Sequence, residues 1–319
     1  MLIDVPQELV VLLLIFLREN FKLWEDSKMT DVVYREARLD DIPAMSDVFL
    51  ASLSDMYARF SITEAPPPRP TLVPVYKHVL STGIFRVAEV ESQIVVIASA
   101  IIRDRIWFLS TFWARPDQQR KGIGMPLLKG LWDTGKAAGA TTFFTHSSPD
   151  MTAMAAYMKM GMLPGHQIIY FRGQPQQLPA VPSGYEAVPL EKAVAMQLDQ
   201  QIRGTGREPD HEFWLGAGVS QGRQVLHHGK VVGYYYTGRS GIGPAAWTAT
   251  SDAGGVMALA WREATSAAPE IRFAVPGVNH AALRMALDAK LKIVSVFHFL
   301  TTAPIGQMER YLPSGPALY

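Results

Sequence analysis

Apolar positions along the chain switch repeatedly between a period of two and a period near 3.6, the pattern of strands alternating with helices. Residues 32–37, Val-Val-Tyr-Arg-Glu-Ala, alternate and run into Asp40-Asp41-Ile42-Pro43, an acidic, proline-bearing helix start. Met45, Val48, Phe49, Leu53 and Met56 then recur at helical spacing, predicting a helix over 44–60. Four prolines within 65–70 make a stiff, exposed loop. Segments 84–90 and 94–102 predict a hairpin around Glu91-Ser92-Gln93. An apolar strand follows over 106–113, then a helix carrying Ile123, Leu127, Leu128 and Leu131. A strand at 141–145, a short helix at 151–160 and a strand at 167–171 close this series.

Residues 174–184 are rich in proline and glutamine and predict a linker. After it the order restarts. Strands are expected at 185–189, 223–228, 231–236, 242–249, 271–275 and 293–300, and helices at 191–202, 255–267 and 279–291. The chain thus divides into an extension over 1–28, a unit over 29–173, the linker, and a second unit over 185–319. Each is an α/β unit of ordinary domain size with a mixed sheet.

Composition narrows the class. Hydrophobic residues at 48% and charged residues at 18% describe a folded, soluble chain, and a net charge of +1 gives no bulk attraction to nucleic acid or anionic membranes. With no cysteine there is no disulfide, thiolate nucleophile or zinc–thiolate site, and a reducing cytoplasm is the expected location. Residues 10–17 are intensely apolar, but a membrane span needs about 20 such residues. Asp4 and Glu8 also do not suit a secretory signal. A packed helix, an interfacial anchor, or an extension ahead of a start at Met29 stay open. No membrane partner is expected.

The candidate chemistry concentrates in Gln119-Arg120-Lys121-Gly122-Ile123-Gly124, between the strand at 106–113 and a helix. Two glycines let the backbone wrap closely, and the amides of a helix start bind anions. Arg120 and Lys121 add positive charge there.

These residues fit the Gln/Arg-x-x-Gly-x-Gly/Ala signature, and the chain over about 30–172 resembles the GNAT superfamily of N-acetyltransferases. A second element agrees: Ala153 and Tyr157 stand four apart, followed by Gly161-Met162, with Asp150 and Met162 replacing the family's Asn and Phe. The resemblance implies that acetyl-CoA is the co-substrate, with no metal. Its pyrophosphate would lie on the amides of Gln119 to Gly124, and its pantetheine would pair with the backbone of Phe112, Trp113 and Ala114. Asp150 joins the candidate cofactor residues, although by itself it reads as a helix cap. The amine attacks directly, and Tyr157 protonates the departing thiolate as general acid. No carboxylate lies on the strand at 106–113, so the base is a water relay or a distant group. Trp107, Trp113, Met56 and Tyr57 are candidates for an acceptor pocket, or core.

The second unit resembles a degenerate copy. Gly238 to Gly243 echoes the phosphate loop one strand too early, and the residue aligned with Tyr157 is Ala286. His227 and His228 are adjacent and are expected on opposite faces of a strand, unsuited to a shared metal. The expected function is therefore a tandem-domain acyltransferase, acetylating a small-molecule or peptide amine through its first domain, with no nucleic-acid partner. A homodimer is compatible with these features. The alternatives are an acyl-CoA-binding sensor without turnover and a structural partner-binding protein.

Overall fold

The computed structural model describes residues 31–319 other than 217, 219, 239 and 240. The expectations for residues 1–28 lie outside the described residues. In the first half, strand β1 (Val32–Glu36) leads through a single 3-10 turn into α1 (Ile42–Arg59) and, past the proline loop, α2 (Leu72–Thr82). Strands β2 (Ile84–Val90), β3 (Gln93–Arg103) and β4 (Ile106–Ala114) form an antiparallel meander. Helix α3 (Gly124–Ala137), β5 (Thr142–Ser147), α4 (Met151–Lys159) and β6 (Leu163–Gly173) follow.

The second half repeats this order with β7 (Tyr185–Pro189), α5 (Lys192–Arg203), α6 (Glu208–Leu215), β8 (Ser220–His227), β9 (Lys230–Gly238) and β10 (Gly241–Trp247). Helix α7 (Ala253–Ala267), β11 (Ile271–Pro276), α8 (His280–Asp288) and β12 (Lys292–Thr301) complete the repeat, and a two-residue strand β13 (Tyr311–Leu312) is added.

The strands lie in two sheets, ordered β1-β2-β3-β4-β5-β12-β6-β11 and β13-β10-β9-β8-β7. The larger sheet interleaves the halves. Strand β12 runs antiparallel between β5 and β6, and β6 runs antiparallel between β12 and β11. Each half therefore lends its closing strand to the other. Helices α3 and α4 cover one face of the first five strands, where Leu127, Leu128, Leu131 and Trp132 pack on Trp107, Leu109 and Phe143. On the other face α1 and α2 share one core with Ala195, Leu198, Tyr234 and Tyr236 of the second half.

Two turns of sequence reading change here. Trp107 and Met56, candidates for an acceptor pocket, are core residues with 0% and 1% exposure. Trp107 meets Trp132 and Phe143 at ring-centroid distances of 5.8 and 5.3 Å. His227 and His228 are not on opposite faces: His228 sits in the hairpin turn with φ +48°, which brings the two rings within 4.5 Å. Helices α2 and α6 and strand β13 add to the elements read from the sequence.

Buried charge ties the halves together at Asp210 and braces the second half at Asp199. Arg103 on β3 forks onto Asp210 of α6, with Nε–Oδ2 at 3.0 Å and Nη2–Oδ1 at 2.6 Å, and His78 Nε2 of α2 donates to the same carboxylate at 2.8 Å. Asp199 on α5 accepts from Arg207 Nε at 2.7 Å, Tyr234 Oη at 2.5 Å and His211 Nε2 at 3.0 Å. Burial alone would raise the Asp199 carboxyl, but Arg207, His211 and Arg203 outweigh it and hold it at about 2. Asp210 is likewise held below the usual range, against its burial, by His78 and Arg103.

Two expectations follow from this architecture. A fragment of residues 31–173 leaves β6 without either neighbour, so it should show no cooperative urea transition alone and should gain one when mixed with residues 174–319. Because Asp199 titrates lower folded than its ordinary ~3.9, its stabilisation is complete above pH ~4 and is lost as pH falls towards 2. Urea unfolding at pH 7 and pH 3 should show this decline, on the order of 2 kcal/mol in full, and Asp199→Asn should flatten it.

Candidate active site

The site is built where β4 and β5 part. They pair in parallel only from Ile106–Thr142 to Leu109–Thr145, and Thr145 Oγ1 donates to the Leu109 carbonyl at 3.1 Å in the crotch. Beyond that point β5 continues beside β12, with Ser147 opposite His298, while β4 runs on to Ala114. No described strand pairs with residues 110–114 on that side, so a row of main-chain polar groups lines the open fork.

A bulge sets which side chains flank it. Ser99 faces Thr111 but Ala100 faces Leu109, so β4 carries one extra residue at Ser110. Trp107 and Leu109 point towards α3 before the bulge, and Phe112 and Ala114 do so after it. Trp113 is thereby turned to α1, edge-on to Phe49 at 5.4 Å. Ser52 of α1 ties the helix to the strand, its Oγ donating to the Ala114 carbonyl at 2.8 Å.

Gln119 to Gly124 follow the open end of β4 after a 3-10 turn at Pro116–Gln118. Gln119 Nε2 donates to the Ala114 carbonyl at 3.1 Å, and Tyr34 Oη donates to the Ile123 carbonyl at 3.1 Å. Arg120 and Gly122 take positive φ, +65° and +82°, which turns the chain into α3. Helix α3 begins without a side-chain cap, so its first amides are left for an external acceptor. Ile123 is buried, whereas Arg120 and Lys121 are exposed, and Lys121 Nζ reaches Gln118 Oε1 at 3.2 Å. Gly124 is closely approached: a Cβ there would lie 2.9 Å from Phe112 Cζ.

Helix α4 leaves the other jaw of the fork. Asp150 caps it, Oδ1 accepting from Thr152 N at 2.9 Å and Ala153 N at 3.2 Å. Its Oδ2 accepts from Arg59 Nη1 at 2.8 Å, and Arg59 also meets Asp55 at 2.9 Å. Tyr157 is buried with its ring 6.2 Å from Phe112, beside the loose end of β4. Burial, then the Asp150 charge, raises its phenol above the ordinary value, so it stays protonated at neutral pH. The structure therefore gathers Phe112, Trp113, Ala114, the 119–124 turn, Asp150 and Tyr157 around one fork.

A profile of the acetyltransferase (GNAT) family matches residues 50–162, the segment that contains this fork. Residues 50–162 are thus the part of the chain that resembles a GNAT domain. A search of curated proteins found no match. Among solved structures, the chain is similar to a protein from Pyrococcus horikoshii assigned as an acetyltransferase (TM-score 0.74, 17% identity, 90% of this chain and 96% of that one). It is also similar to a tandem GNAT protein from the clavulanic acid biosynthesis pathway (0.60, 14%, 86% and 99%). A third is a GCN5-related N-acetyltransferase from Sphaerobacter thermophilus (0.60, 14%, 88% and 98%). At these identities the likeness is one of fold, extending over both halves.

Outside that match, the described residues of the second half show no open fork. Strand β10 pairs with β13, Ala245 opposite Leu312 and Ala246 opposite Tyr311, while β11 pairs with β6. Asn279, aligned with Asp150, accepts from Ala282 N at 3.2 Å and donates from Nδ2 to the Tyr311 carbonyl at 3.1 Å. Ala286, aligned with Tyr157, is fully buried. Within the Gly238–Gly243 echo, Gly238 closes β9 and Gly241 to Gly243 open β10.

Sequence reasoning missed three groups here. Arg59 lies 91 residues from Asp150, so no local spacing signals the pair. His146 stands on β5 just past the crotch, with both ring nitrogens buried and without a hydrogen-bond partner. Burial, His166 and Arg203 push its pKa well below the ordinary value, so the ring is neutral. Residues 317–319 close the inner side of the GNAT domain: Ser110 Oγ donates to the Ala317 carbonyl at 2.7 Å, and the Tyr319 ring lies 4.3 Å from His146.

Gly124→Ala should cost about 1–3 kcal/mol in urea unfolding, because the Phe112 ring must move. Phe112→Leu in the same chain should recover part of that loss.

Proposed function

We propose that the GNAT domain moves an acetyl group from acetyl-CoA to a primary amine. The observation that carries this reading is the fork itself: β4 runs five residues beyond its last pairing with β5, and the 119–124 turn that follows leads into an uncapped helix start. A phosphate-bearing thioester fits both features. The amides at the start of α3, with Arg120 and Lys121, suit the pyrophosphate, and Gly122 has open space around its Cβ position. The free edge of Phe112, Trp113 and Ala114 suits an extended pantetheine arm, held by main-chain hydrogen bonds as an added strand would be. Main-chain N–H groups of that edge also stabilise an oxyanion developing on the thioester carbonyl.

The chain's own residues then do the following. The fork orients the acyl group so that a neutral amine attacks the carbonyl carbon, and the C–S bond breaks as the C–N bond forms. Tyr157, protonated and adjacent to Phe112, donates its proton to the departing thiolate. The amine's surplus proton leaves to water. We assign no cofactor chemistry to the second half, because β13 lies along β10 and Ala286 replaces the tyrosine. Its role is to supply β12 to the sheet and close the inner side of the fork.

Lys121→Ala with Gly124→Glu should abolish acetyl-CoA binding in calorimetry, since a carboxylate would face the pyrophosphate at the helix start. Tyr157→Phe should leave that affinity unchanged and lower kcat at least about tenfold, within the range for loss of a general acid. Release of free CoA thiol with a panel of primary amines reads the rate. Tight binding with no turnover on any amine would favour the sensor reading instead.

A further inference from the structure

A small cavity of about 20 Å³ lies at the joint between the halves. Phe108 of β4 and Phe144 of β5 wall it on one side, and Arg203, Thr205 and Tyr319 on the other. That volume admits one water-sized body and nothing much larger. Two of the lining residues carry polar atoms that the fold leaves unused. Arg203, the last residue of α5, is 3% exposed, and its Nε and Nη1 have no hydrogen-bond partner. Thr205, two residues on and 1% exposed, has an unpartnered Oγ1.

The other buried guanidiniums of this joint are matched. Arg103 forks onto Asp210, and Arg207 takes Asp199 and, from Nη1 at 2.6 Å, the Tyr319 main-chain carbonyl. Asp199 stands one turn before Arg203, but its oxygens are taken by Arg207, His211 and Tyr234. Arg203 is left with the rings of Tyr311 and Tyr319, each 5.0 Å from its guanidinium carbon. Ring faces attract the cation but accept little from the N–H groups along its edge. A guanidinium cannot shed its proton, and leaving a buried charged donor unmet is costly. Its charge reaches His146, where it adds to burial in keeping that imidazole neutral. A water in the cavity would satisfy an N–H and leave the charge uncompensated, whereas an anion meets both needs. We infer that the cavity is a site for a single-atom anion, chloride or bromide, held by Arg203 Nε and Nη1 and Thr205 Oγ1. Its lining comes from both halves, so the site is complete only when the joint is closed, and unfolding releases the ion.

Urea unfolding of the full chain at pH 7 tests the site, with sodium gluconate exchanged for sodium chloride at constant ionic strength. Gluconate is too large for the cavity, and equal ionic strength keeps the screening of surface charge the same. Once chloride exceeds its Kd, the unfolding equilibrium constant should fall about tenfold for each tenfold rise in chloride, as one bound ion requires. Arg203→Met keeps an unbranched side chain in place and should lose this dependence. Thr205→Val should move it to chloride concentrations at least about threefold higher. Arg262→Gln, at an exposed position of α7, should retain it in full. Crystals of the unsubstituted chain grown in bromide should show an anomalous peak within hydrogen-bond reach of Arg203 Nε and Thr205 Oγ1. Equal stability in the two salts overturns the inference. So does the same chloride dependence in Arg203→Met as in the unsubstituted chain, or a water alone where the bromide is expected. Should Arg203→Met fail to fold, Thr205→Val and the bromide peak decide the matter. None of these measurements involves acyl transfer, so the site stands or falls apart from the proposed function.

Discussion

The exchange of closing strands between the halves is the constraint on which the remaining structure depends. Strand β5 finds its outer neighbour in β12, and β6 is held between β12 and β11. Neither half can complete its main-chain hydrogen bonding without the other, and an unpaired buried N–H or C=O is too costly to leave. The carboxylate of Asp210 adds to this lock, and that of Asp199 braces the second half. They are tolerable in the interior only because Arg207, Arg103, His211, His78 and Tyr234 saturate them. Removing one partner would strand a buried charge, so the network specifies a single relative placement of α5, α6 and β3.

That placement frees the fork. With β5 paired to β12 on one side, its pairing with β4 can stop at Thr145 without leaving the sheet incomplete. The bulge at Ser110 then turns Phe112 and Ala114 to the face of α3 and α4, where the 119–124 turn and Tyr157 lie. One inserted residue thus aligns the strand edge, the helix start and the phenol. In the second half the same opening is filled by β13, with Asn279 holding the Tyr311 carbonyl. The same element order, used twice, gives an open fork once and a filled one once among the described residues.

The contrast shows what local pattern can reveal. Helix α1, the β2–β3 hairpin and β4 were legible because their apolar period matches their burial, as with Met45, Val48 and Met56 inside. The 119–124 turn was legible because positive φ at Gly122 and the close approach at Gly124 each require particular residues. Helix α2 was obscured by prolines on both sides of its start, and α6 by its length of eight residues. Trp107 and Met56 could not be separated from pocket residues, since an apolar side chain looks the same beside a ligand and beside Trp132. The turn position of His228 was hidden by a strand alternation that ends one residue earlier.

The sequence by itself determined the repeated α/β order, the anion-suited turn, and the tyrosine spaced to meet it. These are local properties, written in periodicity, glycine positions and short spacings. Only the tertiary structure decided that β6 and β12 change places, that residues 311–319 thread the second fork and seal the first, and that Arg59 meets Asp150. Such pairings join residues about 90 to more than 200 positions apart, as with Arg59 and Asp150 or Ser110 and Ala317. Main-chain hydrogen bonding and ion pairing carry no sequence signature of their partner, so which strand or charge is met is settled only when the whole chain closes on itself.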